Sequence, residues 1–326
     1  MASPKPFPIL FICSSRIGDA VLASGLVKRL HDENPDARFT IVAGPLSAPL
    51  FADTPNLDRI IVMQKTKGKG HWFKLWTQVR GRNWGLIVDR RGSSIARFLR
   101  ARRRAIHRSA PGEPVHKVIE AARLLKAADD PPGPYLFTSA QTEARAAAIL
   151  GDDAGPILAV GPAANWQGKT WPVERFAQLA VRLMQPGQPF EHGRLLILGG
   201  PDDKRAVEPL RRALVRDRVI DLTGQADLLT AYACLKRARL FVGNDSGLMH
   251  LAAAAGTPTV GLFGPSDERL YGPWGRDTRV VRGPRSLAQI RAIDPGLNQP
   301  VCHMLDLPVD QVLAAAQALF EQTRRA

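Results

Sequence analysis

The chain has 326 residues, enough for two domains of ordinary size, and its 45% hydrophobic and 23% charged content excludes a disordered or fibrous protein. The one apolar run near the amino terminus, Ile9 to Cys13, is too short for a signal peptide or a membrane span. Net charge is +15 and uneven: residues 1–150 hold 24 basic and 12 acidic side chains, residues 151–326 hold 21 and 18, so the first half is expected to face something anionic.

Ile9 to Cys13 is a short strand, followed by the polar turn Ser14-Ser15-Arg16-Ile17-Gly18-Asp19 and a helix over Ala20 to Leu30 with Val21, Leu22, Leu26 and Leu30 near one face. The turn lacks the three-glycine dinucleotide fingerprint. Asp19 opens the helix, where a carboxylate can cap it or, aimed into a cleft, act as a general base. Strands are expected at Phe39 to Ala43 and Ile60 to Val62, then a glycine-broken basic loop from Lys65 to Trp72. Gly85 to Asp89 is a buried strand leading into Arg90-Arg91-Gly92-Ser93-Ser94, and six arginines follow between Arg97 and Arg108. No zinc finger or other nucleic-acid motif accompanies them, so an acidic membrane or a phosphorylated glycolipid is the expected partner and nucleic acid is not.

Gly151 to Pro156 has the composition of a linker, dividing the chain at 1–152 and 153–326. A second series then begins: strand Ile157 to Val160, a polar loop from Gly161 to Lys169 that includes Asn165, and a helix opening at Trp171-Pro172. Strand Leu195 to Leu198 ends at Gly199-Gly200-Pro201-Asp202-Asp203, and a helix to about Arg216, a strand Val219 to Leu222 and a helix Leu228 to Arg237 follow. Alternating strands and helices, twice over, predict α/β architecture with two Rossmann-like domains facing each other.

The stretch Phe241 to His250 is strand, polar turn and small-residue helix. The helix start at Asp245, Ser246 and Gly247 offers free N–H groups and the positive end of a dipole, which suits a diphosphate; the bland alternative is a simple helix cap. His250, four residues after Ser246, lies on the same helix face. An alanine-rich amphipathic helix from Val309, about 309–324, closes the chain and is expected to pack back toward the cleft. Cys13, Cys234 and Cys302 fit neither a disulfide framework nor a metal spacing and read as reduced thiols of a cytosolic protein.

Taken together, Ser14 to Asp19, Asp89 to Gly92, Gly168-Lys169-Thr170-Trp171-Pro172 with Arg175-Phe176-Ala177, and the segment from Val242 to Gly275 resemble the lipopolysaccharide heptosyltransferases of glycosyltransferase family 9. The resemblance implies a GT-B fold and inverting, metal-independent sugar transfer, heptose from ADP-heptose by default, to a lipopolysaccharide core at the cytoplasmic face of the inner membrane. It implies no cofactor. By the same resemblance Asp19 is the base; Lys169, the N–H groups of Ser246 and Gly247, and His250 meet the leaving diphosphate; Asn165, Asp202 and Asp245 are donor-site residues. Ser14, Ser15, Arg16, Gly18, Asp89 and Arg90 would hold the acceptor. The sequence departs from the family at Arg90-Arg91, where an uncharged polar residue is common, and at Ala163-Ala164-Asn165, which offers fewer hydroxyls to a phosphate. A sugar-nucleotide epimerase of similar fold and a non-catalytic nucleotide or nucleic-acid binder are the rival readings.

Overall fold

The computed structural model describes residues 6–64, 66, 70–108, 113–153, 155–297 and 299–324. Lys65 and Lys67 to Lys69 of the basic loop and Ala154 of the expected linker lie outside the described residues. The chain divides into two compact units, Met1–Ser139 and Ala140–Ala326.

In the first unit the strands are β1 (Phe7–Ile12), β2 (Ala37–Ala43), β3 (Leu57–Val62), β4 (Trp84–Asp89) and β5 (Ala101–Ile106), with helices α1 (Ile17–Glu33), α2 (Gly70–Val79), α3 (Ile95–Phe98) and α4 (Lys117–Ala122). The sheet order is β3-β2-β1-β4-β5 and every pairing is parallel. β1 and β4 are apolar almost throughout because a parallel sheet is covered on both faces. On one of those faces Leu75 and Val79 of α2 and Ala96 and Leu99 from α3 and its end meet Leu10, Ile12, Val42 and Ile87.

The basic loop, expected to reach Trp72, gives way to a helix at Gly70, and the arginine run, to which the sequence pattern gave no element, acquires one. The segment after the basic loop is a helix, α2, whose Leu75 and Val79 lie one turn apart and bury. Half of the arginine run is strand: Ala101–Ile106 pairs with β4 as an edge strand, and Arg102, Arg103 and Arg104 are all exposed along it while its backbone completes the sheet.

In the second unit the helices are α5 (Ala140–Leu150), α6 (Val173–Leu183), α7 (Glu208–Arg212), α8 (Leu228–Leu235), α9 (Gly247–Ala254), α10 (Glu268–Tyr271), α11 (Leu287–Ile293) and α12 (Val309–Arg324). Its strands are β6 (Ile157–Gly161), β7 (Arg194–Ile197), β8 (Val219–Asp221), β9 (Leu240–Asn244), β10 (Thr259–Phe263) and β11 (Thr278–Arg282). They run β11-β10-β9-β6-β7-β8, all parallel, which is the doubly wound order with β6 as its first strand. The helix expected to run to about Arg216 is instead a short α7, which starts only at Glu208 with Pro209 in its first turn, and after the exposed Val215 a separate 3₁₀ turn at Arg216–Arg218.

The division falls at 139/140 because α5 belongs with the second unit. It packs on α8, and Glu143 pairs with Lys236 at 2.6 Å. Arg194 of β7 donates to the carbonyls of Leu150 (2.5 Å) and Asp153 (2.9 Å), fastening the stretch expected to be a linker to the start of β7. The final helix α12 buries Val312, Ala316, Leu319 and Phe320 in the second unit's own core, beside Phe176 and Phe190. At roughly 1.5–3 kcal/mol for each fully buried large apolar side chain, that seam is a substantial part of the unit's stability.

Candidate functional site

In each sheet the winding direction reverses once, between β1 and β4 in the first unit and between β6 and β9 in the second. Ligands of open α/β sheets bind beyond the carboxyl ends of the strands flanking such a reversal.

In the first unit that position is built from residues 13–19 and 89–94. Asp19 sits in the first turn of α1, where a carboxylate complements the helix dipole, and accepts a hydrogen bond from Ser14 Oγ (3.3 Å). Ser47 holds the turn from behind, its Oγ donating to Ser14 O (2.8 Å) and accepting from Gly44 N (3.1 Å). A Cβ on Gly44 would lie 2.6 Å from Ser15 Cβ, so only glycine lets β2 end this close to the turn. Cys13 directly follows β1; burial pushes its thiol up to about 12, while Arg90, Asp19 and Arg91 all lie near enough to act on it. Such a thiol is inert.

Asp89 is fully buried and spends both carboxylate oxygens on its own turn: Oδ1 accepts from Arg91 N (2.8 Å), Oδ2 from Ser93 N (2.7 Å) and Ser93 Oγ (2.5 Å). The structure therefore gives Asp89 the task of shaping the loop. Gly92 takes φ +63 in this turn. The group the loop presents is Arg90, whose Nε and Nη1 are buried without a hydrogen-bond partner. A buried guanidinium left unsatisfied calls for an anionic or carbonyl-rich ligand. Ser14 and Ser15 are half-buried, Gly18 lies in the first turn of α1, and Arg16 stands exposed at its N-cap.

In the second unit Asn244, the last residue of β9, is fully buried. Its Nδ2 donates to Pro162 O (2.6 Å) and its Oδ1 accepts from Trp171 N (3.0 Å), so one side chain holds both ends of the loop after β6. Trp171 Nε1 in turn donates to Leu307 O (2.9 Å), and His303 N donates to Gly168 O (2.9 Å). The loop that carries Lys169 is thus fixed from two sides. Lys169 Nζ donates to Asp245 Oδ2 at 3.1 Å, and His250 Nε2 lies 4.0 Å from Asp245 Oδ1. Asp245 itself precedes the helix; α9 starts at Gly247 with Ser246 as an N-cap whose side chain makes no capping bond. Ser246 Oγ is buried without a partner, beside the free N–H groups of the helix start. A capping serine would have turned that oxygen onto the helix, so the simple-cap alternative does not hold for Ser246.

Lys169, Asp245, Ser246, Gly247 and His250 are therefore together. Asn165 and Asp202 are not among them: both are exposed, Asp202 at the tip of the 3₁₀ turn Pro201–Asp203. Its neighbour Asp203 accepts from Gly200 N (2.7 Å) and lines a cavity of about 300 Å3 with Ala163, Ala164, Gln167, Thr170 and Cys302. The cavity shares the loop with Lys169 but not the ion pair. In the sequence Asn244 lies unremarked within the stretch Phe241 to His250; a polar side chain ending an apolar strand is the signal that sets it apart.

Two doubly wound units, each with an orphaned polar side chain at its reversal point, form the GT-B architecture of glycosyltransferases. Residues 74–294 match glycosyltransferase family 9 (heptosyltransferase), and the chain belongs to that family. It is 25% identical to lipopolysaccharide heptosyltransferase 2 of Salmonella typhimurium, over 96% of this chain and 99% of that protein. It is 27% identical to lipooligosaccharide heptosyltransferase 2 of Haemophilus ducreyi, over 84% and 88%. Among solved structures, the family 9 glycosyl transferase of Veillonella parvula superposes with TM-score 0.77 at 19% identity, covering 97% of each chain. The ADP-heptose lipopolysaccharide heptosyltransferase II of E. coli gives 0.75 at 22% identity, over 98% and 100%. At these identities the two structures share its fold. The protein is an enzyme, a glycosyltransferase.

Proposed function

We propose that the protein transfers heptose, with inversion, from ADP-heptose to the core of a lipopolysaccharide, holding the donor at the second unit and the acceptor at the first. The observation that carries the donor half is the Lys169–Asp245 pair beside the buried, unpartnered Ser246 Oγ and the start of α9. When the glycosidic bond to the diphosphate breaks, negative charge grows on the leaving phosphate oxygen, and preorganised donors there stabilise the transition state. Lys169 supplies the cation, the N–H groups of Ser246 and Gly247 the fixed dipoles, and His250 a further donor on the same helix face. Asp245 holds Lys169 in place.

Asp19 is the base. Ser14 Oγ orients one carboxylate oxygen and leaves the carboxylate to take the proton of the attacking acceptor hydroxyl as the new glycosidic bond forms. Arg90 and Arg16 would meet anionic groups of the acceptor. The names of the relatives support heptose and the lipopolysaccharide core. Among the described residues no helix is long and apolar enough to cross a membrane. We place the enzyme in the cytoplasm, peripheral at the inner membrane, where a lipid-linked acceptor is presented.

Asp19→Asn tests the base. Transfer should fall by roughly 10²–10⁴-fold while calorimetric ADP binding stays as in the wild type. Undiminished transfer would remove Asp19 from the mechanism, and a preference for UDP or GDP over ADP would redirect the donor.

A further inference from the structure

The excess charge of this protein is concentrated. Between Arg59 and Gly112 stand fifteen Lys and Arg against a single acid, Asp89, which is buried in its own turn. Three of the fifteen, Lys65, Lys67 and Lys69, lie outside the described residues. The segment comprises β4, β5, α2 and α3 and the loops between them, and both helices pack on the same face of the first sheet. Neither helix contains an acidic residue, and Lys74, Arg80, Arg97 and Arg100 are exposed on or beside them. Arginines of the flanking strands join the layer: Arg59 of β3 donates to Gln78 O (2.7 Å) and Arg104 of β5 to Ala96 O (3.2 Å).

The same layer carries the two most exposed large apolar side chains among the described residues, Phe73 of α2 at 69% and Phe98 of α3 at 78%. Phe73 stacks on Trp76, ring centroids 5.9 Å apart, and Arg80 covers the Trp76 ring at 4.6 Å. A soluble surface disfavours such rings, whereas aromatics amid basic side chains are what the interface of an anionic bilayer accommodates. Nucleic acid would use the same charge and could stack its bases on the rings, but no nucleic-acid motif accompanies them, and a short RNA in the test separates the two. The layer is also continuous with the acceptor turn, because Arg91 lies over the Trp72 ring at 4.8 Å.

We propose that the α2–α3 layer of the first unit is the surface by which the enzyme docks on an anionic lipid bilayer, with Phe73 and Phe98 inserting at headgroup level and the surrounding arginines and lysines meeting lipid phosphates. The proposal rests on the reading of the first unit as the acceptor unit, since a lipid-linked acceptor is drawn from that bilayer next to the turn that receives it.

The test is co-sedimentation of the full chain with vesicles of phosphatidylcholine alone and of phosphatidylcholine mixed with phosphatidylglycerol, at low and at about 0.15 M salt. The wild type should bind the mixed vesicles and not the neutral ones. Phe73→Ala with Phe98→Ala should lower that binding about tenfold or more, and Arg97→Glu with Arg100→Glu should do the same and abolish its salt dependence. Circular dichroism checks that each variant is folded, and all four positions are surface ones. Equal binding to both vesicle types, or wild-type binding by both variants, overturns the proposal. So does tighter binding to a short RNA that ignores the loss of both phenylalanines. Transfer to a deacylated, water-soluble acceptor, measured alongside, should be unchanged in the variants. If the wild type shows no such transfer yet docks as described, the acceptor reading fails and the surface stands.

Discussion

Lys169 and Asp245 are 76 residues apart in sequence, yet Nζ and Oδ2 meet at 3.1 Å with only 17% and 7% of their side chains exposed. A pair this sheltered is costly to break from one side, roughly 3–5 kcal/mol, because the remaining charge is left buried. Lys169→Ala should therefore lower both the melting temperature and kcat/KM, the latter by about 10²–10³-fold. Adding Asp245→Asn should restore the melting temperature and leave kcat/KM low. Wild-type kcat/KM in Lys169→Ala would remove the lysine from the reaction, and a double variant as unstable as the single one would show the pair to be no unit.

Asn244 acts on the same lysine through the backbone. Asn244→Ala strips the partner from Trp171 N and Pro162 O, both buried by the loop, at about 1–3 kcal/mol for each group left unsatisfied. The freed loop should carry Lys169 away from the donor, raising the KM for donor more than it lowers kcat. A double-mutant cycle with Lys169→Ala should show coupling of at least about 0.5 kcal/mol in kcat/KM. Strict additivity would mean that Asn244 supports the fold alone.

Gly92 is required by backbone conformation. Its φ of +63 is left-handed, and a Cβ there would meet His107 O at 2.8 Å. Gly92→Ala should cost about 1–2 kcal/mol and loosen the Asp89 turn that presents Arg90. The expected outcome is a lower melting temperature with weaker acceptor binding and unaltered ADP binding. An unchanged denaturation midpoint would show that the turn tolerates a side chain.

Acid should weaken the second unit through Asp306. Arg285, whose guanidinium also reaches His303 O (3.0 Å), holds the Asp306 carboxyl below its usual range. A depressed carboxyl stabilises the fold above its unfolded value near 3.8 and loses that stabilisation as pH falls below it through the folded value. Asp306→Asn should thus lower stability at neutral pH by about 1 kcal/mol or less, the pair being partly exposed, and flatten the loss of stability below pH ~4. Chemical denaturation at pH 7 and pH 3 checks this; a variant with the wild-type pH dependence would sink it.

The repeated strand–helix alternation, the polar turns at strand ends and the stretch from Phe241 to His250 are local patterns, so the sequence alone specified two doubly wound units and the segments that meet at the start of α9. Parallel strands buried on both faces read as plain apolar runs, and a turn at their carboxyl ends needs polar residues and glycine whatever surrounds it. Local pattern could not show that Ala101–Ile106 is a strand, because an edge strand draws its stability from pairing with β4 and tolerates arginine at almost every solvent-facing position. Nor could it separate Asp89, consumed by its own turn, from Arg90, left unpartnered beside it, or Asp202 from Asp203 one residue on. In each case adjacent polar residues are told apart by the direction of their side chains. Direction, and with it the meeting of Lys169 and Asp245 through Asn244, was decided by contacts between segments far apart in the chain, which only the tertiary structure supplies.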